Sequence, residues 1–187
     1  MHFIAFLWIV ICFIGCKTAR PLIVPSVFLE NSGESPILLN QAVTKSRLTV
    51  LVFFSPTCPC QRAHDARLIE LYNLYHRLGV QFWGVASEVG LFQDDLIREQ
   101  HERGYPFPIL LDTGATLANA VHAEYATHSL VISPEGKILY QGGIDSDRSH
   151  LSSDATSFLA KAIEDGLAGR PIRIPQAKTL GCVLRLP

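Results

Sequence analysis

Residues 48–54 (LTVLVFF) form an almost continuous apolar run rich in β-formers, the pattern of a strand covered on both faces. Ser55-Pro56-Thr57 breaks it, and the period then changes. Leu68, Leu71, Tyr72, Tyr75 and Leu78 recur at helical spacing, which predicts a helix over 59–78 stopped by Gly79. VQFWGVAS (80–87) reads as a second strand, 91–103 as a helix closed by Gly104, FPILLD (107–112) as a short strand and 115–123 as a short helix. SLVISPEGKILYQ is a hairpin, with strands over 129–133 and 137–141 joined by the turn signal Pro-Glu-Gly. A last helix is expected over 153–168, closed by Gly169 and Pro171. The order β-α-β-α-β-α-β-β-α predicts a layered α/β domain, and the closing hairpin makes its sheet mixed.

The flanks differ from this body. Residues 2–15 (HFIAFLWIVICFIG) carry no charged side chain with His2 neutral. They are too short for a membrane span, which needs roughly 20 residues, and suit the apolar core of an export signal. Ile14-Gly15-Cys16 resembles a lipobox, at which the signal is cut and Cys16 takes a lipid, although Phe13 stands where Leu is usual and no Lys or Arg precedes the run. A plain cleaved signal and an uncleaved anchor are the alternatives. All three place the body outside the cytoplasm, and the lipidated form anchors it to a bacterial membrane facing the periplasm. The expected division is an export signal over 1–16, a tether over 17–33, a domain over 34–168 and an extended tail over 169–187 carrying Cys182. At 187 residues and 48% apolar the chain can build one real core. A net charge of −1 with scattered Lys and Arg excludes a nucleic-acid footprint.

Of five cysteines, Cys12 and Cys16 belong to the leader, leaving Cys58, Cys60 and Cys182 for the body. Outside the cytoplasm such thiols can be oxidised stably. Cys58 falls where the buried strand hands over to a helix, with Pro59 at the first helical position, where its missing N–H costs nothing. Free backbone N–H groups and the positive helix end would stabilise a thiolate there, making Cys58 the candidate nucleophile. Cys60 follows at C-x-C spacing. At about 100° per residue it would point roughly 200° around the axis from Cys58, against about 300° for C-x-x-C. A Cys58–Cys60 bond therefore requires a distorted first turn, and strained disulfides are readily reduced.

Taken together, FFSPTCPC at the end of a buried strand, VQFWGVAS, FPILLD and VISPEGKILYQGGID resemble the thioredoxin-fold redoxins, most nearly exported TlpA-type and AhpC/TSA-like thioredoxin-domain proteins. The resemblance covers residues 34–168 and implies a three-layer fold with a central mixed β-sheet flanked by helices. It implies thiol–disulfide exchange with protein thiols and disulfides and with a redox partner, without a dissociable cofactor. Some exported members of this group carry C-P-C and end in a Gly-Cys tail, here Gly181-Cys182. The implied catalytic set is Cys58, attacking a substrate sulfur, with Cys60 or Cys182 resolving the mixed disulfide. Pro59 and Thr127 would border the substrate; Thr127 aligns where the family has a cis-proline, and a trans bond is expected since a non-proline cis bond costs about 2.5–4 kcal/mol. The peroxiredoxin pattern P-x-x-x-T/S-x-x-C is not matched by Pro56-Thr57-Cys58, which argues against a thiol peroxidase.

Two other readings stay open. His128-Ser129 resembles the His-Ser of Sco-type copper chaperones, and Cys58, Cys60 and His128 would offer soft ligands to Cu(I). The cysteines could equally be structural in a redox-inactive module. His64 reads as a partly buried histidine near the helix start, and Asp112 and Asp145 as turn caps. His76, His101, His122 and His150 are given no role.

Overall fold

The computed structural model describes residues 22–149 and 151–187. The expected signal, the Cys16 lipidation site and His150 lie outside the described residues. Among those described, no helix is long and apolar enough to cross a membrane.

The elements run β1 (Phe28–Leu29), β2 (Ile37–Leu38), α1 (Leu39–Ala42), β3 (Leu48–Phe54), α2 (Pro59–Tyr75), β4 (Val80–Ala86), α3 (Gln93–Arg103), β5 (Ile109–Leu111), α4 (Thr116–Ala120), β6 (Ser129–Ile132), β7 (Ile138–Gly142) and α5 (Phe158–Leu167). The central sheet has the order β5-β4-β3-β6-β7. Strand β3 is parallel to β4 and antiparallel to β6, and β6 and β7 form the hairpin, so the sheet is mixed as the sequence pattern predicts.

The apolar run of β3 makes it the centre of the sheet. Its period of two sorts the side chains between two cores. Val50, Val52 and Phe54 pack with Leu68 of α2, Leu96 of α3 and Leu159 and Ile163 of α5. Leu51 and Phe53 face the other way, against Leu39 of α1, Leu117 of α4, Val24, Val27 and Leu29 of the N-terminal segment, and Leu184 of the tail. All seven residues of β3 are buried, and each large apolar side chain among them contributes roughly 1.5–3 kcal/mol.

Several boundaries shift for local reasons. The first long helix loosens to a 3-10 turn over His76–Leu78 before Gly79 stops it in the left-handed region (φ 87°). Helix α3 starts at Gln93, where the Asp95 carboxylate accepts the Phe92 N–H at 3.1 Å. Helix α4 is only five residues, because His122 turns left-handed (φ 55°) just after it. Asp112, expected as a turn cap, accepts the Leu117 and Ala118 N–H groups at 2.9 Å each and so caps α4. Helix α5 begins at Phe158 rather than 153, since Ser146 and Thr156 tie off a preceding loop through bonds of 3.1 and 2.9 Å.

The larger corrections concern the flanks. Residues 22–33, expected within a tether, belong to the domain: Val24, Val27 and Leu29 are buried, Ile23 bridges to Lys137, and Glu30 to Leu111. The tail is extended, as its prolines predict, but it is not loose. The Gln141 N–H donates to Pro175 O at 3.1 Å and the Ala177 N–H to Gln141 O at 3.2 Å, along the free edge of β7. The chain then crosses the end of the sheet and reaches the amino end of α2.

Candidate functional site

Cys58 is the N-cap of α2, in extended conformation (φ −83°, ψ 111°), with Pro59 the first helical residue. Its Sγ accepts the Gln61 N–H at 3.4 Å, one of the orphan donors that begin every helix. The Gln61 side chain reaches back to accept the Ser55 N–H at 3.1 Å, which ties the loop to the first turn. A second tie comes from Arg103, whose guanidinium donates to Pro56 O at 2.9 Å, pairs with Asp65 and Glu99, and lies 4.8 Å from the centre of the Phe54 ring. The strand, the turn and the helix start are thus one braced unit.

Cys58, Cys60 and Cys182 are free thiols, and their sulfurs all lie within 4.8 Å of one another. The tail delivers the third. Residues 182–184 pair antiparallel with the loop before β6: the Ala126 N–H donates to Cys182 O at 2.8 Å and the Leu184 N–H to Glu124 O at 2.9 Å. Gly181 passes so close that a Cβ there would stand 1.7 Å from Ala126 O. Further on, Glu88 accepts the Arg185 N–H at 3.1 Å and its side chain at 3.3 Å. The other Glu88 oxygen accepts from Ser55 Oγ at 2.9 Å, so one buried carboxylate joins the tail to the loop before Cys58.

The consequence is a covered centre. Cys58 is 1% exposed and Cys60 6%, whereas Cys182 is only partly buried. Burial, with the Cys58 and Cys60 sulfurs alongside, pushes the Cys182 pKa up to about 12.

Thr127 has φ 69°, a left-handed backbone that disfavours a β-branched residue by roughly 1–3 kcal/mol. Its N–H donates to Phe53 O at 2.9 Å, clamping it to the end of β3. There are no cis bonds among the described residues. Thr127 is 4% exposed and lies beneath Gly181, so the surface expected to border substrate is occupied by the tail. Pro59 is exposed at the helix start.

His128 does not join the thiols into the copper set considered from sequence; in the sulfur cluster that place belongs to Cys182. The His128 Nδ1 is 3.1 Å from Thr179 Oγ1, and its Nε2 is buried without a partner among the described residues. Burial lowers its pKa to about 4.

Below Cys60 lies a charged network that sequence reasoning missed. His64 Nδ1 is 2.7 Å from Cys60 O and Nε2 is 3.0 Å from Asp145 Oδ1, while Arg67 bonds the other Asp145 oxygen. Burial opposes charge on His64, but the hydrogen bonds to Asp145 and Cys60 outweigh it and raise the pKa. Burial likewise opposes the Asp145 anion, but its bonds from His64, Asp147 N–H and Arg67 hold its pKa below the ordinary value. Nothing in the spacing of residues 64 and 145 signals this; the return of the chain after β7 makes it.

This architecture and the sequence agree on kinship. The chain belongs to the Redoxin family, whose model matches residues 21–158. It has the thioredoxin-like fold of thiol–disulfide oxidoreductases, with a Cys58-x-Cys60 pair at the start of α2. Among solved structures it is similar to an uncharacterized conserved protein from Geobacillus kaustophilus, at 25% identity and TM-score 0.80 over 89% of this chain and 92% of that one. A hypothetical protein from Sinorhizobium meliloti matches at 21% identity and TM-score 0.80, over 89% and 94% of the two chains. A secreted disulfide oxidoreductase of Mycobacterium tuberculosis shares the fold at 15% identity and TM-score 0.57, over 74% and 95%. No curated protein matches the chain in sequence.

Proposed function

We propose that this protein is an exported thiol–disulfide oxidoreductase whose exchange runs through Cys58, with Cys60 or Cys182 closing the internal disulfide. The observation that carries the reading is the gathering of three free sulfurs within 4.8 Å at the amino end of α2. Gln61 N–H points at Cys58 Sγ at 3.4 Å, so a departing thiolate there has a backbone donor to receive its charge. A thiolate attacking the internal disulfide forms a mixed disulfide; a second thiolate releases it, and two electrons have passed to the protein. The reverse sequence reduces a partner disulfide. No further cofactor is required by this chemistry.

Protein thiols and disulfides are the proposed partners. Export, with lipid attached at Cys16, is supported by the uncharged run over 2–15 and the Gly15-Cys16 junction. Radiolabelled palmitate should appear on the protein and vanish with Cys16→Ser; label retained in that variant refutes the lipid anchor.

Exchange is tested by reduction and oxidation of a model disulfide substrate. Cys58→Ser is expected to abolish both. Full turnover in that variant would refute the role, and thiols that never oxidise across a series of redox buffers would mark a redox-inactive module.

A further inference from the structure

We propose that the sulfur through which this centre meets an incoming substrate thiol is that of Cys182, and that the C-terminal tail is a dedicated exchange arm carrying it. The inference rests on the thiol–disulfide reading above and assigns the point of contact within it.

Access comes first. Cys58 and Cys60 are buried residues, at 1% and 6% exposure, and Cys182 is the partly exposed cysteine of the three. A reagent arriving from solvent therefore reaches Cys182 before the other two. The tail is also built for the place it occupies. Gly181 alone lets the backbone approach Ala126 O, Cys182 O takes the Ala126 N–H, and Leu184 is buried in the core at 5% exposure. Glu88 then ties Arg185 to Ser55 in the loop before Cys58. The backbone groups of residues 124 and 126 that could pair with an extended substrate are already paired with the tail. A substrate is thus met by a sulfur rather than held as an added strand.

The chemistry runs the same way. In the oxidised protein the Cys58 and Cys182 sulfurs are joined. An incoming thiolate attacks Cys182 Sγ, a bond forms between the two, and the Cys58–Cys182 bond breaks with its electron pair on Cys58. That leaving thiolate is received by the Gln61 N–H. The opposite choice, attack on Cys58, would expel Cys182, the thiol whose neighbours and burial disfavour its anion. A second substrate thiol then attacks the mixed disulfide and frees Cys182 as a thiol. Two thiols have become one disulfide, the protein disulfide has become two thiols, and two electrons and two protons balance. A partner disulfide restores the Cys58–Cys182 bond by the reverse path.

The test uses the Cys60→Ser protein, oxidised so that of the three body cysteines only Cys58 and Cys182 remain to pair, challenged with glutathione, quenched in acid and alkylated. Peptide mass mapping should place the glutathione adduct on Cys182 with Cys58 alkylated, in about tenfold excess or more over the converse, the preference expected from about 1.4 kcal/mol of difference between the two attacks. An adduct mainly on Cys58 would overturn the proposal. In the otherwise wild-type protein, Cys182→Ser should slow oxidation of glutathione at least about tenfold by the same conversion. Unchanged exchange in Cys182→Ser, with activity lost in Cys58→Ser, sinks the arm while leaving a Cys58–Cys60 oxidoreductase. Unchanged exchange in Cys58→Ser sinks the functional reading itself.

Discussion

Replacing Gly181 with alanine should open the redox centre without touching a cysteine. The added Cβ would stand 1.7 Å from Ala126 O and 2.7 Å from Ala126 C, while contacts under 3.0 Å essentially never occur for a real Cβ. The obstacle is backbone, itself clamped because the next N–H, that of Thr127, donates to Phe53 O at 2.9 Å, so the tail must give way. Displacing it breaks the Ala126–Cys182 and Leu184–Glu124 bonds, each worth about 0.5–1.5 kcal/mol. It also exposes Leu184, at roughly 1.5–3 kcal/mol. Docking is then weakened by about 2.5–6 kcal/mol if the whole arm leaves, and by less if it settles into a shifted register. Alkylation of a buried thiol tracks the population of the opened state. Alkylation of Cys58 and Cys60 by iodoacetamide should therefore rise between about tenfold, for a shifted register costing about 1.4 kcal/mol, and on the order of ten-thousandfold, for about 6 kcal/mol. The cooperative unfolding temperature should move little, because the sheet and its helices keep their contacts. Unchanged alkylation would show that the tail does not seal the centre. A large fall in thermal stability with alkylation unchanged would show that the tail is part of the global fold rather than a separable arm.

Three further outcomes follow from the same geometry. The His64–Asp145 contact makes stability pH-dependent with a definite sign: the raised His64 pKa stabilises the fold fully below its ordinary 6.5 and is lost as pH rises through the folded value. The lowered Asp145 pKa stabilises above its ordinary 3.8 and is lost as pH falls through the folded value. Thermal unfolding should thus be most resistant between about pH 4 and 6.5, with the alkaline decline flattened in His64→Gln; an unaltered decline in that variant would assign it to other groups. Asp112→Ala leaves the Leu117 and Ala118 N–H groups unpaired at a buried helix start and should lower unfolding free energy by about 2–5 kcal/mol in urea titration; a loss under about 0.5 kcal/mol would refute the capping role. Arg103→Ala removes the buried cation shared by Asp65 and Glu99, leaving them only Tyr105 and Arg62, and frees Pro56 O, so a loss of about 3–5 kcal/mol is expected, with increased protease cutting in the loop before Cys58; intact protection there would show the loop does not depend on this brace.

By itself the sequence determined the scaffold and the first cysteine. The apolar run 48–54 permits little but a central strand, and a Pro after Cys58 permits little but the start of a helix. Local chemistry of this kind is readable because its causes lie within a few residues. The tertiary structure alone decided the rest. Cys182 lies 122 residues beyond Cys60, and no spacing rule could say that its tail would pair with residues 124–126 and roof the centre over. The same holds for His64 and Asp145, and for Glu88 as the link between loop and tail. Gly181 stands in the sequence only as the residue before Cys182, whereas in the fold its backbone lies against Ala126 so closely that no Cβ fits. These features depend on where distant segments meet, and meeting is settled by how two cores fill around one sheet.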